Sequence, residues 1–290
     1  MEAVNERSKK DNKNKRNDIL KVIAMVTMLV DHIGYLFFPS MMIFRTIGRI
    51  AFPIFAYLIG IGYHHTSSLK KYMLRLFIFA LVTQIPYSFF NRTLVFEPFN
   101  LNILFTLLLG LVFIHLINDS ISLMKSEISK KHLRLPLNIT FLLSILVINE
   151  QVKFLGYGRG LEYGWYGIVL ILIFYYTKGH TILLIINYSV LTFAHAYYNV
   201  FFSLARRSQV SPITYLMNNW TVIFSYIFSN IKEVLNLSSY FFQGRSLMAL
   251  YFIKVFNQEN FFIRLNPWVG YIFYPGHMTL LILIRFLMGS

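Results

Sequence analysis

A chain of 290 residues has the length of one large or two small domains, yet 56% of it is hydrophobic and only 13% is charged, against about 25% charged in soluble proteins. A lipid bilayer is the environment this composition fits, and because each span takes roughly 20 apolar residues, little length remains for a soluble catalytic domain. The net charge of +15 is spread over termini and loops between apolar runs, which argues for membrane topology and against nucleic acid. The lack of cysteine excludes disulfides, thiolate catalysis and thiolate-bound metals.

Residues 1–18 form a basic tail carrying Arg7, Lys9, Lys10, Lys13, Lys15 and Arg16. The apolar run after it ends in Asp31, His32 and Gly34 without a cleavage pattern, so it reads as a retained span and not as a signal peptide. Apolar runs fall at 19–39, 45–63, 71–90, 101–118, 136–152, 163–177, 181–203, 213–230, 238–256 and 268–287. The expected fold is an all-α polytopic integral membrane protein, with about ten transmembrane helices in one bundle and 19–290 as a single domain. Asn218, Asn219, Gln243 and Arg245 interrupt the eighth and ninth runs, which could equally be re-entrant or amphipathic segments. The tail, the Lys70, Lys71, Arg75 cluster and the Lys125, Lys130, Lys131, Arg134 loop alternate with loops poorer in Lys and Arg, which puts the N-terminus in the cytoplasm. An even number of spans puts the C-terminus there too, and leaves Arg206 and Arg207 on the outer side as exceptions.

Of the twelve acidic residues only Asp31 lies well inside an apolar run, with Glu150 and Glu162 near span ends. A carboxylate in lipid needs a partner. By helix rise Asp31 lies roughly 10 Å from the outer end of the first span and Arg49 roughly 7 Å down the second, so the two can meet across the hairpin. Arg45, one turn earlier on the same face, is a second candidate partner. Such a group is either a staple between the two helices or part of a site, and both readings stay open. His32 points about 100° away from Asp31 on the helix and so serves a different partner. As a neutral imidazole it could act as general base.

His277 follows Pro275, which frees backbone groups, so it could line a cavity; taken alone it reads as structural. His115 and His195 read as packing or hydrogen-bonding residues, and Gln84, before Pro86, as satisfying backbone at a kink. His64 and His65 have no carboxylate at metal-ligand spacing, which argues against a zinc site. There is no P-loop, GxGxxG or GxSxG motif. Gly156, Gly158 and Gly160 suit a turn better than a phosphate cradle, and the 18% aromatic content suits interfacial belts.

Lys21-Val22-Ile23-Ala24, Asp31-His32-Ile33-Gly34 and Arg45-Thr46-Ile47-Gly48-Arg49-Ile50-Ala51-Phe52-Pro53 resemble the opening motifs of the TraX family. Gln84-Ile85-Pro86, Glu162-Tyr163-Gly164-Trp165-Tyr166-Gly167 and Phe273-Tyr274-Pro275 with His277 resemble its later ones, whereas Phe242-Gln243-Gly244-Arg245-Ser246 departs from its pattern. The resemblance implies a polytopic inner-membrane protein. The named member of the family is associated with acetylation of the N-terminus of conjugative pilin. The family is also similar, more loosely, to transmembrane acyltransferases that draw on a cytoplasmic thioester, usually acetyl-CoA.

By position the resemblance implies His32 as the central residue, with Asp31, Arg45, Arg49 and His277 as motif residues of unassigned role. The expected activity is transfer of an acetyl group from acetyl-CoA to an amine or hydroxyl of a peptide, glycan or lipid-linked acceptor. His32 would deprotonate the attacking group, and Asp31, held by Arg49 or Arg45, would fix the first helix. Lys70, Lys71 and Arg75 are candidates for the anionic end of CoA, although topology alone would also account for them. The expected partners are the bilayer and the acceptor, with a homodimer left open. A proton-coupled carrier or flippase, or a non-catalytic assembly factor, is the rival reading.

Overall fold

The computed structural model describes residues 18–124, 134–154, 160–236, 240–256 and 263–289. The basic tail up to residue 17, Lys125, Lys130, Lys131, Gly156 and Gly158 lie outside them. Apolar runs become helices because, in lipid, each backbone N–H and C=O must be satisfied within its own segment. In chain order the helices are α1 (Ile19–Phe37), α2 (Met42–Gly48), α3 (Ala51–His65), α4 (Leu69–Tyr87), α5 (Ile103–Met124), α6 (Arg134–Val152), α7 (Gly164–Tyr176), α8 (Thr181–Arg207), α9 (Pro212–Ser229), α10 (Ile231–Val234), α11 (Ala249–Phe256) and α12 (Val269–Leu287). A 3-10 segment, Phe242–Met248, leads into α11. Two-residue strands β1 (Asn100–Leu101) and β2 (Gly160–Leu161) pair in parallel, Asn100 opposite Gly160.

Six stretches are long and apolar enough to cross a membrane: α1, α2 with α3, most of α5 and α6, α8 and α12. The fold is thus the all-α multi-pass bundle that the composition requires. Its core lies where α1, α3, α5, α7, α8 and α12 meet, with Ile54, Leu111, Tyr166, Leu170, Tyr188 and Met278 fully buried. Small residues set the closest approaches, as expected where helices associate by packing and not by exclusion of water. A methyl group at Gly34 would collide with Phe44, and one at Gly48 with Asp31. These two glycines let α2 lie tightly against the C-terminal half of α1.

Helix direction corrects the even number of spans. Asp18 donates its backbone N–H to Ile263 O at 2.8 Å and accepts from Leu265 N at 3.0 Å, and Gly270 lies against the Lys21 side chain. Farther along both helices, His32 meets His277. The last helix therefore runs parallel to the first, and the end of the bundle that holds Phe37 also holds Leu287. Two parallel helices that both cross require an odd number of passes. Among the described residues, α9, over the run predicted at 213–230, is not one of the six stretches long and apolar enough to cross. The chain leaves α8 at Arg207 and α9 folds back along α8, with Phe201, Ala205, Tyr215 and Ile223 forming a small separate core. Asn219 breaks α9 with φ −133° and ψ 22°. Tyr240 then sits beside Asn199 and Ser203, in the same part of α8 that the chain had just left. Only 242–256 carries it back to the end where Asp18 lies. The ends are called near (Asp18) and far (Phe37) below.

Candidate functional site

Two adjacent residues of α1 feed two networks. Asp31, 7% exposed, accepts from Arg45 Nη1 at 2.7 Å and from Arg49 Nη2 at 3.2 Å. Both arginines lie on the return limb, Arg45 in α2 and Arg49 at the break between α2 and α3, one turn apart. A carboxylate held by two guanidiniums leaves a net positive charge beside it. Arg45 is the more accessible of the pair and its guanidinium also faces the Tyr35 ring at 5.4 Å, with Arg92 at 5.3 Å from the same ring.

His32 turns away from this pair and reaches the last helix. Its Nδ1 lies 2.8 Å from Nε2 of His277, and His277 Nδ1 lies 2.7 Å from the Phe273 carbonyl oxygen. A carbonyl only accepts, so His277 Nδ1 carries a proton and its Nε2 is an acceptor. His32 Nδ1 must then be the donor, which leaves the lone pair of a neutral His32 on Nε2. The relay fixes both the tautomer and the ring plane, with Phe90 packed against His32 at 4.7 Å between ring centroids. A base oriented by a second group, itself oriented by a third, is the arrangement that activates a nucleophile. Arg45 and Arg49 both act electrostatically on His32.

Sequence reasoning left out a third part of the site. Glu162, between β2 and α7, is hydrogen-bonded by Tyr87 and lies in the field of Arg49, Arg45 and Asp31. Its Oε2 is buried without a hydrogen-bond partner. Burial, opposed chiefly by Arg49, pushes this carboxyl up to about 7. Tyr163 follows in the left-handed region at φ 61°, uncommon for a bulky residue and a mark of functional constraint. Its ring stacks on Phe52 at 3.9 Å and lies 5.8 Å from the Arg49 guanidinium. Phe242 is sandwiched between Arg49 at 5.0 Å and Arg245 at 4.9 Å. Arg245, read from sequence as an interruption of the ninth run and a departure from a family pattern, thus adds a third guanidinium. The clue to Glu162 was its position at a span end inside Glu-Tyr-Gly-Trp-Tyr-Gly; the clue to Arg245 was a cation interrupting an apolar run.

Lys70 and Lys71 are exposed at the start of α4, with Arg75 half-buried one turn on, all at the near end and remote from His32. Gln84 does satisfy backbone, but across the fold: it donates to Pro98 O and Asn100 O and accepts from Asn102. His115 is exposed, and His64 stacks on Tyr175. His195 is bonded to Asn199 and ringed by Trp165 and Tyr166. Among the described residues no group of three or more His, Asp or Glu side chains could hold a metal ion.

The TraX protein family model matches residues 16–285. The chain belongs to the TraX family. Matching 16–285 takes in every element of the site, from α1 to His277. Among similar proteins of this TraX chain, an uncharacterised protein of Rickettsia prowazekii is 34% identical over 112 residues, 38% of this chain and 41% of that protein. A probable fimbrial assembly protein FimC, serogroup H1, of Dichelobacter nodosus is 32% identical over 104 residues, 32% of this chain and 43% of that protein. The chain thus spans about two fifths of the length of these relatives. No solved structure matches it.

Proposed function

We propose that this membrane protein is an acetyltransferase that moves an acetyl group from acetyl-CoA to an amine or hydroxyl of an acceptor, in a cell-surface or pilus-related process. The observation that carries the reading is the Phe273 carbonyl, His277 and His32 relay, which leaves the lone pair of a neutral His32 on Nε2, next to the Asp31, Arg45 and Arg49 cluster in an otherwise apolar bundle. In the reaction, the acceptor lone pair attacks the thioester carbonyl while His32 Nε2 takes the acceptor's N–H or O–H proton. The C–N or C–O bond forms, the C–S bond breaks, and the same proton passes to the sulfur, releasing CoA as its thiol. Such a base contributes about 10²- to 10⁴-fold. The net positive charge of Arg45 and Arg49 around Asp31 would favour the negative charge that develops on the carbonyl oxygen.

The near end would face the cytoplasm of a bacterial inner membrane, with Lys70, Lys71 and Arg75 steering the anionic end of CoA. His32 follows Ile19 by 13 residues, about 20 Å by helix rise, so the thioester arm would enter from the near end and the acceptor from the far end. The fimbrial assembly protein among the relatives supports a surface-appendage setting. Purified wild type incubated with acetyl-CoA and an amine acceptor should release CoA, and folded His32→Ala should lose at least about a hundredfold of that rate. Full activity in His32→Ala would sink the proposal. Transport of an acceptor across liposomes without consumption of acetyl-CoA would favour a carrier instead.

A further inference from the structure

A cavity of about 270 Å³ opens in the far half of the bundle between α6, α7 and α8. Tyr163 is the wall it shares with the Asp31 and Arg49 cluster. The other surfaces are aromatic and polar: Trp165, His195, Tyr198, Asn199 and, at the rim, the exposed Arg206. Its volume is below the roughly 300 Å³ at which pockets for drug-sized ligands begin, so it accommodates a single ring unit.

The chemistry of that unit follows from what is free to bind it. Glu150 also lines the cavity, but its carboxylate is already engaged: Oε1 takes Asn149 at 2.9 Å and pairs with Lys153 at 3.5 Å, and Oε2 takes the Tyr198 hydroxyl at 2.5 Å. It locks the Tyr198 ring and leaves no spare charge for an ammonium, which Lys153 and Arg206 would also repel. Asn199 Nδ2 donates to His195 Nδ1 at 3.2 Å and to Tyr240 O at 3.1 Å. That sets the proton of neutral His195 on Nε2, a donor, and leaves Asn199 Oδ1 as a neighbouring acceptor. A flat indole face, an adjacent donor and acceptor, and a guanidinium at the rim suit a hydroxylated ring that carries an anionic group.

We infer that the cavity between α6, α7 and α8 is the acceptor subsite, taking an acidic saccharide unit with its ring on Trp165 and its carboxylate or phosphate at Arg206. The inference rests on the acetyltransferase reading and narrows its acceptor to a sugar hydroxyl. Arg206, an exception to the expected topology when read from sequence, acquires a use.

The test is equilibrium binding to the full-length protein in detergent without acetyl-CoA, by titration calorimetry, with three probes: a disaccharide ending in glucuronate, its neutral glucose counterpart, and a tripeptide with a free amino terminus. The acidic disaccharide should bind at least about tenfold more tightly than either of the others. Arg206→Gln should remove the preference over the neutral sugar. Trp165→Leu should weaken both sugars about tenfold, with Trp165→Phe restoring most of it. No saccharide binding, tighter binding of the tripeptide, or unchanged binding in folded Trp165→Leu would overturn the inference. Acetyl transfer to an amine without saccharide binding sinks the subsite and leaves the transferase. Binding with this pattern, but no transfer when acetyl-CoA is added, sinks the transferase and leaves a saccharide site.

Discussion

Asp31 and His32 differ by one position and by a whole network, because neighbours on a helix face different helices. Asp31 is committed to α2 and α3, where two guanidiniums hold it; His32 is committed to α12. Asp31→Ala would leave Arg45 and Arg49 without their carboxylate, and removing one partner of a buried ion pair typically costs about 3–5 kcal/mol. Asp31→Ala should therefore lower the thermal midpoint more than His32→Ala, measured by light-scattering melts in detergent; equal midpoints would contradict the staple. Glu162 gives a pH test. Its folded value of about 7 lies above the ordinary 4.5, so the stability contributed by its neutral form is full below about pH 4.5 and is lost as pH rises through about 7. Arg49, Arg45, Asp31 and Tyr87 also act on it, so the Glu162→Gln variant is the comparison that isolates its own contribution. The midpoint of wild type should fall across it, and Glu162→Gln should remove that fall. The same slope in the variant would show that the loss comes from elsewhere.

At the scale of elements, the first hairpin was the most legible part of the chain. A single carboxylate in an apolar run has to find a cation, and the spacing of Arg45 and Arg49 left little freedom in where they meet it. The pairing of His32 with His277 was not legible, since 245 residues separate them and nothing in either segment announces that α1 and α12 lie side by side. Glu162 was hidden for another reason: its burial is produced by the pairing of β1 with β2, two residues each, too short for periodicity to reveal. Close packing explains why the hairpin is exact. Gly48 admits the Asp31 side chain where a Cβ would stand, so Gly48→Ala should push α2 off α1, cost about 1–3 kcal/mol and reduce activity. A control, Gly276→Ala, meets nothing within 4 Å and should be close to neutral in melting. Equal behaviour of the two variants would contradict the packing account.

At the scale of the molecule, helix direction matters more than helix count. Composition and run length led to about ten spans and to both termini on one side, but α12 runs parallel to α1, and so it ends opposite the start of α1. Reporters that respond on only one side, fused before residue 19 and after residue 289, should therefore respond on opposite faces; response on the same face would overturn the parallel crossing of α1 and α12. The basic start of α4 lies at one end and the Trp165 cavity toward the other, with His32 and the Asp31, Arg45 and Arg49 cluster side by side between them. A thioester from one side and an acceptor from the other could meet there without either crossing the membrane.

In the proposed reaction His277 works only through His32, and a double-mutant cycle reads that dependence directly. Single-turnover acetyl transfer would be compared among wild type, His32→Ala, His277→Ala and the double variant, each checked for folding by its melt. If His277 acts by setting the tautomer of His32, the double variant should be no slower than His32→Ala alone, with His277→Ala losing up to about 10⁴-fold. Losses that multiply in the double variant, or a His32→Ala protein as fast as wild type, would contradict the account.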